Sequence, residues 1–119
     1  MPSQQEHLWQ YRHNAFFVTF LRTSEGASLY MDWEITAMFY TLLHLEDAIL
    51  VGKGYKPNDH QGRNGYVNRV DSFRQVRRDY MALASYSHAA RYGVSIDAEK
   101  LSKARGAFQR AIDLLDIML

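Results

Sequence analysis

A chain of 119 residues holds one domain and is short for two. Its 47% hydrophobic content supports a core without covalent staples, and the absence of cysteine excludes disulfides and thiolate-bound metal. A net charge of +1 sets up no global field for nucleic acid, so any such binding has to use a local patch.

The opening stretch MPSQQEHLWQYRH is polar and has no uninterrupted apolar core. No secretory signal is expected from it, and a cytoplasmic location is the default. Residues 4–23 carry Trp9, Phe16 and Phe20 at helical spacing, with Leu8, Tyr11, Ala15 and Val18 alongside, which predicts a broad-faced amphipathic helix. SEGAS follows as a loop, with Gly26 as the expected helix stop and Asp32 as the N-cap of the next helix.

That next stretch, residues 32–51, organises the chain. Trp33, Ala37, Tyr40, His44, Asp47 and Val51 form one stripe, and Ile35, Met38, Leu42, Leu45 and Ile49 fill most of the remaining surface. A helix apolar on nearly all sides is a buried central helix or a membrane span. Glu34, His44, Glu46 and Asp47 argue for the first, because charge in a bilayer core costs several kcal/mol. No membrane association is expected.

The connector GKGYKPND is the strongest break: Pro57 disfavours helix at Lys56, and Asn58 with Gln61 offers a capping box. DHQGRNGYVNRV then predicts a weak helix, since Gly62 and Gly65 each cost it about 1 kcal/mol relative to alanine. Residues 72–92 place Phe73, Val76, Tyr80, Leu83, Ser87 and Ala90 on one seam, closed by Gly93. The last helix starts near Asp97, with Leu101, Ala104, Phe108, Ala111, Leu115 and Met118 on its seam. Nothing reads as a strand. The fold class is all-α: one domain over residues 1–119, an up-down bundle of four long helices and one short one. Trp33, Phe39, Leu43, Tyr80, Leu83, Phe108 and Leu115 are expected to be buried together. The surplus of apolar surface, with Trp9, Phe16, Phe17 and Phe20 on the first helix, predicts a homodimer.

Three polar sets can carry chemistry. His44 and Asp47, three residues apart, can face one another, but a lone His–Asp pair makes a poor metal site; no metal and no cofactor are expected. The bland reading of His44 is packing against Trp33 and Tyr40 with a hydrogen bond to Asp47 or another helix. His60, Arg63 and Asn64 share one weak helix and supply the parts for metal-free RNA cleavage. His60 would be the base for a ribose hydroxyl, Arg63 would hold the phosphate and Asn64 would orient. Against that stands a helix N-terminus with solvated polar residues. Arg74, Arg77, Arg78, His88 and Arg91 form a basic set beside Tyr80, Tyr86 and Tyr92 that can grip a backbone and stack bases. The plain alternative is a solvated outer face, with Asp71 and Asp79 diluting the charge.

Phe39-Tyr40-x-x-Leu43-His44-x-x-x-Ala48, His60-x-x-Arg63 after a proline-bearing connector, and Tyr80-x-x-Leu83-x-x-x-Ser87-x-x-Ala90-Arg91-Tyr92 together resemble small HEPN-domain proteins. The resemblance covers residues 33–92. It implies a helical bundle, often dimeric, found as metal-independent ribonucleases of toxin–antitoxin, CRISPR and other defence systems, or as non-catalytic binders of RNA, nucleotides or proteins. Its catalytic members carry Arg, a polar residue, and a His four to six residues after the Arg. Arg63 and Asn64 match the first two positions, whereas Asn68, Arg69 and Val70 stand where the histidine belongs. The resemblance therefore points first to a binding module of RNA, nucleotide or a cognate antitoxin or defence protein. It points second to a ribonuclease or toxin using His60 and Arg63, and third to a structural subunit of a ribonucleoprotein.

Overall fold

The computed structural model describes residues 2–57, 60–93 and 95–119; the side chains of His60, Gln61, Asn68 and Ser72 lie outside that description, as does the cap expected of Asn58. Among the described residues there are five α-helices and two 3-10 turns, and no strand.

Helix α1 (Gln4–Thr23) opens with a capping box. Ser3 Oγ accepts from the Glu6 amide and the Glu6 carboxylate accepts from the Ser3 amide, both at 3.1 Å, which satisfies two otherwise unpaired donors. Its inward stripe is His7, Tyr11, Val18 and Leu21, at alternating steps near 3.6 residues. The aromatic seam instead faces outward: Phe16 is 79% exposed and Phe20 64%.

A 3-10 turn at Ala27–Leu29 leads into α2 (Met31–Gly52). Tyr30, not Asp32, occupies the N-cap position, and Asp32 lies in the first turn, where its negative charge meets the positive end of the helix. α2 is the hub: 14 of its 22 residues are buried, and Trp33, Thr36, Tyr40, His44 and Val51 lie along its partly exposed side. It is also long and apolar enough to cross a membrane, with a mean hydropathy of 1.3, but 72% of that window is covered by the other helices. Trp33 departs from the expected core at 56% exposure. The inward direction at that turn belongs to Glu34, which accepts from Arg22 Nε at 2.9 Å and from Arg105 Nε and NH2 at 2.7 Å. Trp33 is thereby turned toward the flank of α1. Phe39, Leu43, Tyr80, Leu83, Phe108 and Leu115 are all buried as expected.

The chain leaves α2 through Gly54, whose φ of +90° is accessible to glycine at little cost. Helix α3 (His60–Arg69) is short and polar. Helix α4 (Arg77–Arg91) starts five residues later than the spacing suggests, after a 3-10 turn at Asp71–Phe73. The seam survives because a 3-10 turn also returns every third residue to one side, and Phe73 and Val76 are both fully buried. Gly93 at φ +97° ends the helix region. Helix α5 (Ala98–Asp116) begins at the expected Asp97, whose side chain accepts from the Lys100 amide. α1 lies along α2, α4 and α5 pack on α2 and on one another, and α3 spans between α2 and α4.

Candidate functional site

The polar residues of α2 meet those of α1, α3 and α4 inside the bundle. On α3, Arg63 and Val67 lie one turn apart, so burying Val67 carries Arg63 inward with it. Arg63 Nε donates to Asp47 Oδ1 at 2.6 Å and Arg63 NH2 to Asp47 Oδ2 at 2.8 Å, with only 9% and 1% of the two side chains exposed. This is the parallel fork that a guanidinium and a carboxylate form at best strength. Burial pulls the Arg63 pKa down, but the hydrogen bonds and charge of Asp47 outweigh it and leave it raised. Asn64 also turns inward, its Oδ1 accepting from the Tyr80 hydroxyl at 2.7 Å. Burial pushes the Tyr80 phenol up, keeping it a donor.

Glu46 lies beside this pair with both carboxyl oxygens buried and without a hydrogen-bond partner among the described residues. Burial, then the charge of Asp47, pushes its pKa well above the usual carboxylate range. On the other side, His44 Nδ1 stands 3.1 Å from His7 Nδ1, one nitrogen donating and the other accepting according to tautomer. Burial lowers both imidazole pKa values and favours their neutral forms. His44 thus takes the hydrogen bond to another helix, and it lines a groove together with Trp33 and Tyr40. His7 had no sequence signal as an isolated histidine; only its place on the stripe His7–Tyr11–Val18–Leu21 marks it as inward.

Of the cleavage set, Arg63 and Asn64 therefore point into the bundle, to different partners, and the His60 side chain lies outside the described residues. The basic set divides along α4. Arg74, Arg77 and Arg78 are exposed at its start, with Arg74 held loosely to Asp71 at 3.2 Å. His88 and Arg91 are eleven or more residues further on, roughly 16 Å along the axis from Arg77. Arg91 NH1 donates to the Tyr40 hydroxyl at 2.7 Å, and its guanidinium lies over the Tyr40 and Tyr92 rings, so it bridges α4 to α2.

Arg78 instead joins two cations the spacing did not connect with it. A groove of about 630 Å³ between α4 and α5 is lined by Arg78, Lys103, Arg110 and Tyr86, with Asp79 as its only carboxylate. Arg110 NH2 sits 3.0 Å from Asp79 Oδ1, and Lys103 Nζ 3.1 Å from Glu99; the cations are 64% and 61% exposed. The Lys103–Glu99 pair is exposed on both sides and worth about 0–1 kcal/mol, whereas Arg110 forks onto an Asp79 carboxylate that is 14% exposed. A second groove, apolar, runs between Phe17, Phe20, Tyr30 and Trp33 on the opposite flank.

No protein-family model, curated protein or solved structure matches this chain.

Proposed function

We propose that the chain is a HEPN-like RNA-binding module without catalytic activity, acting as a cytoplasmic homodimer in a prokaryotic RNA-linked or defence-type system. The α4–α5 groove carries the reading: Arg78, Lys103 and Arg110 line it beside the Tyr86 ring, with Asp79 on Arg110 and Glu99 on Lys103. A single strand laid along it meets Arg78, Lys103 and Arg110 with its phosphates and Tyr86 with a base face. Arg74 and Arg77 extend the positive surface beyond the start of α4. The non-catalytic half rests on Arg63, whose fork is committed to buried Asp47 rather than to solvent. The dimer rests on the exposed aromatics Phe16, Phe20 and Trp33.

Fluorescence anisotropy with a short labelled single-stranded RNA tests this. Wild type binds with a steep salt dependence. Replacing Arg78, Lys103 and Arg110 together by alanine lowers the slope of log K against log salt by about 2, at roughly 0.7 per phosphate contact. An unchanged slope refutes the groove. Chelator-resistant RNA cleavage by wild type that is lost in His60→Ala/Arg63→Ala refutes the non-catalytic reading.

A further inference from the structure

We propose that His7, His44 and Asp47 form a binding site for one divalent first-row transition-metal ion of zinc-like preference, set between α1 and α2. One donor atom from each of the three residues lies within 4.8 Å of the other two. The two imidazole Nδ1 atoms are 3.1 Å apart. Two nitrogens each about 2.0–2.1 Å from one tetrahedral zinc stand roughly 3.3 Å from each other, so the existing separation already suits a shared ion.

The chemistry agrees with the geometry. Two imidazole nitrogens and one carboxylate oxygen form a donor set suited to borderline divalent ions, and three protein ligands leave one position for water or an anion. His44 and Asp47 lie three residues apart on one face of α2, and α1 brings His7 across to them. The two helices bring the three donors together, and side-chain rotation has to draw the widest pair in from up to 4.8 Å toward the roughly 3.3 Å of a shared ion. Arg63 supplies the outer support. It donates one hydrogen bond to each Asp47 oxygen. A carboxylate oxygen has two lone-pair directions, so each retains one for an ion, while the guanidinium fixes the carboxylate plane. Access also exists. A groove of about 350 Å³ lined by Pro2, Glu6, His7, Trp9, Gln10 and His44 opens the imidazoles to solvent, while Asp47 stays closed behind them. The positive charge of Arg63 opposes the ion, so binding is expected to be weaker than at a closed structural zinc site. The α4–α5 groove shares none of these residues, and the site stands or falls apart from the RNA reading.

The test uses the full chain, stripped with a chelator and then titrated with zinc in a calorimeter and with cobalt(II) in a spectrophotometer. The expected result is one ion per chain and the visible d–d bands of a low-coordinate cobalt site containing nitrogen ligands. His44→Gln, at the half-buried ligand, should weaken zinc binding by about 100-fold or more. His13→Gln, at an exposed histidine stacked on Trp9, should leave it unchanged. If His44→Gln does not fold, the wild-type cobalt spectrum decides alone. Featureless cobalt, no zinc heat, or affinity that survives His44→Gln overturns the site and leaves the two histidines as a proton-sharing pair.

Discussion

Replacing Arg63 by alanine tests whether the α3 arginine is part of the bundle or a residue held ready for a phosphate. The two side chains of the Arg63–Asp47 pair are 9% and 1% exposed, and two hydrogen bonds of 2.6 and 2.8 Å join them. Removing the guanidinium leaves a carboxylate at 1% exposure with no ionic partner, a change that costs about 3–5 kcal/mol. A chain of 119 residues unfolds with an entropy of about 2.1 cal/mol/K per residue, or about 0.25 kcal/mol/K in all. The melting temperature should therefore fall by about 12–20 °C, read by circular dichroism at pH 7. Asp47→Leu/Arg63→Met removes both charges and should recover most of that loss, because a buried ion pair and an apolar pair of similar volume differ little in net stability. The double-mutant cycle should return a coupling of about 2 kcal/mol or more. An Arg63→Ala variant that melts within a degree or two of wild type would show that the guanidinium faces solvent and would restore it as a candidate phosphate ligand.

Leu43→Ala, at a residue 4% exposed in the hub, should cost about 2–5 kcal/mol in a denaturant melt; a normal midpoint would refute the core placement. Glu46→Met should stabilise the protein by about 1–3 kcal/mol at pH 7, since both carboxyl oxygens are buried with no partner among the described residues; destabilisation would reveal a partner for them. The gain should grow as pH rises above 4.5, because the folded state holds the Glu46 proton and the unfolded state releases it. His7 and His44 act in the opposite sense: their folded pKa values lie below 6.5, so the unfolded state binds more protons and stability should fall as pH drops through 6.5. A His7→Phe/His44→Phe variant should flatten that limb of the melting profile, and an unchanged limb would exclude the pair as its source. Phe16→Asp/Phe20→Asp should leave the fold intact and give the 13.9 kDa monomer in light scattering; a wild type that is itself monomeric at micromolar concentration removes the dimer.

The helices with one apolar side were legible in the sequence, and the helices with more were not. In α4 and α5 the three-four spacing leaves one consistent seam, and Tyr80, Leu83, Leu101, Ala104, Phe108, Ala111 and Leu115 are buried along it. Asp97 and Gly93 mark boundaries through local backbone chemistry, which sequence carries directly. In α1 the bulkiest residues mislead: Trp9, Phe16 and Phe20 share a seam, yet α2 is met by His7, Tyr11, Val18 and Leu21. α2 is apolar nearly all round, so periodicity assigns it no inward direction, and Trp33 looks as buried as Phe39. The site suffers from the same limit in stronger form. His44 and Asp47 could be read as a pair from their spacing on one helix. Their partners Arg63 and His7 lie 16 and 37 residues away across loops, and no local pattern links residues at those separations.

The hub explains why those long-range partners are polar. Apolar packing is non-directional, and a helix apolar on nearly all sides can be rotated or slid against its neighbours with little change in the apolar area it covers. α2 carries at least one polar tie to each neighbour: Glu34 to Arg22 of α1 and Arg105 of α5, Tyr40 to Arg91 of α4, His44 to His7 of α1, and Asp47 to Arg63 of α3. Rotating α2 by one residue, about 100°, would break these contacts and leave Glu34 and Asp47 charged and unpaired in the interior. Each pair adds little net stability over an apolar substitute, but each alternative register would carry a penalty of several kcal/mol. The discrimination comes from that difference. Arg63 is the most exacting of the ties: α3 is too polar to dock through its apolar surface, and Val67 and Arg63 are the buried residues among its described side chains.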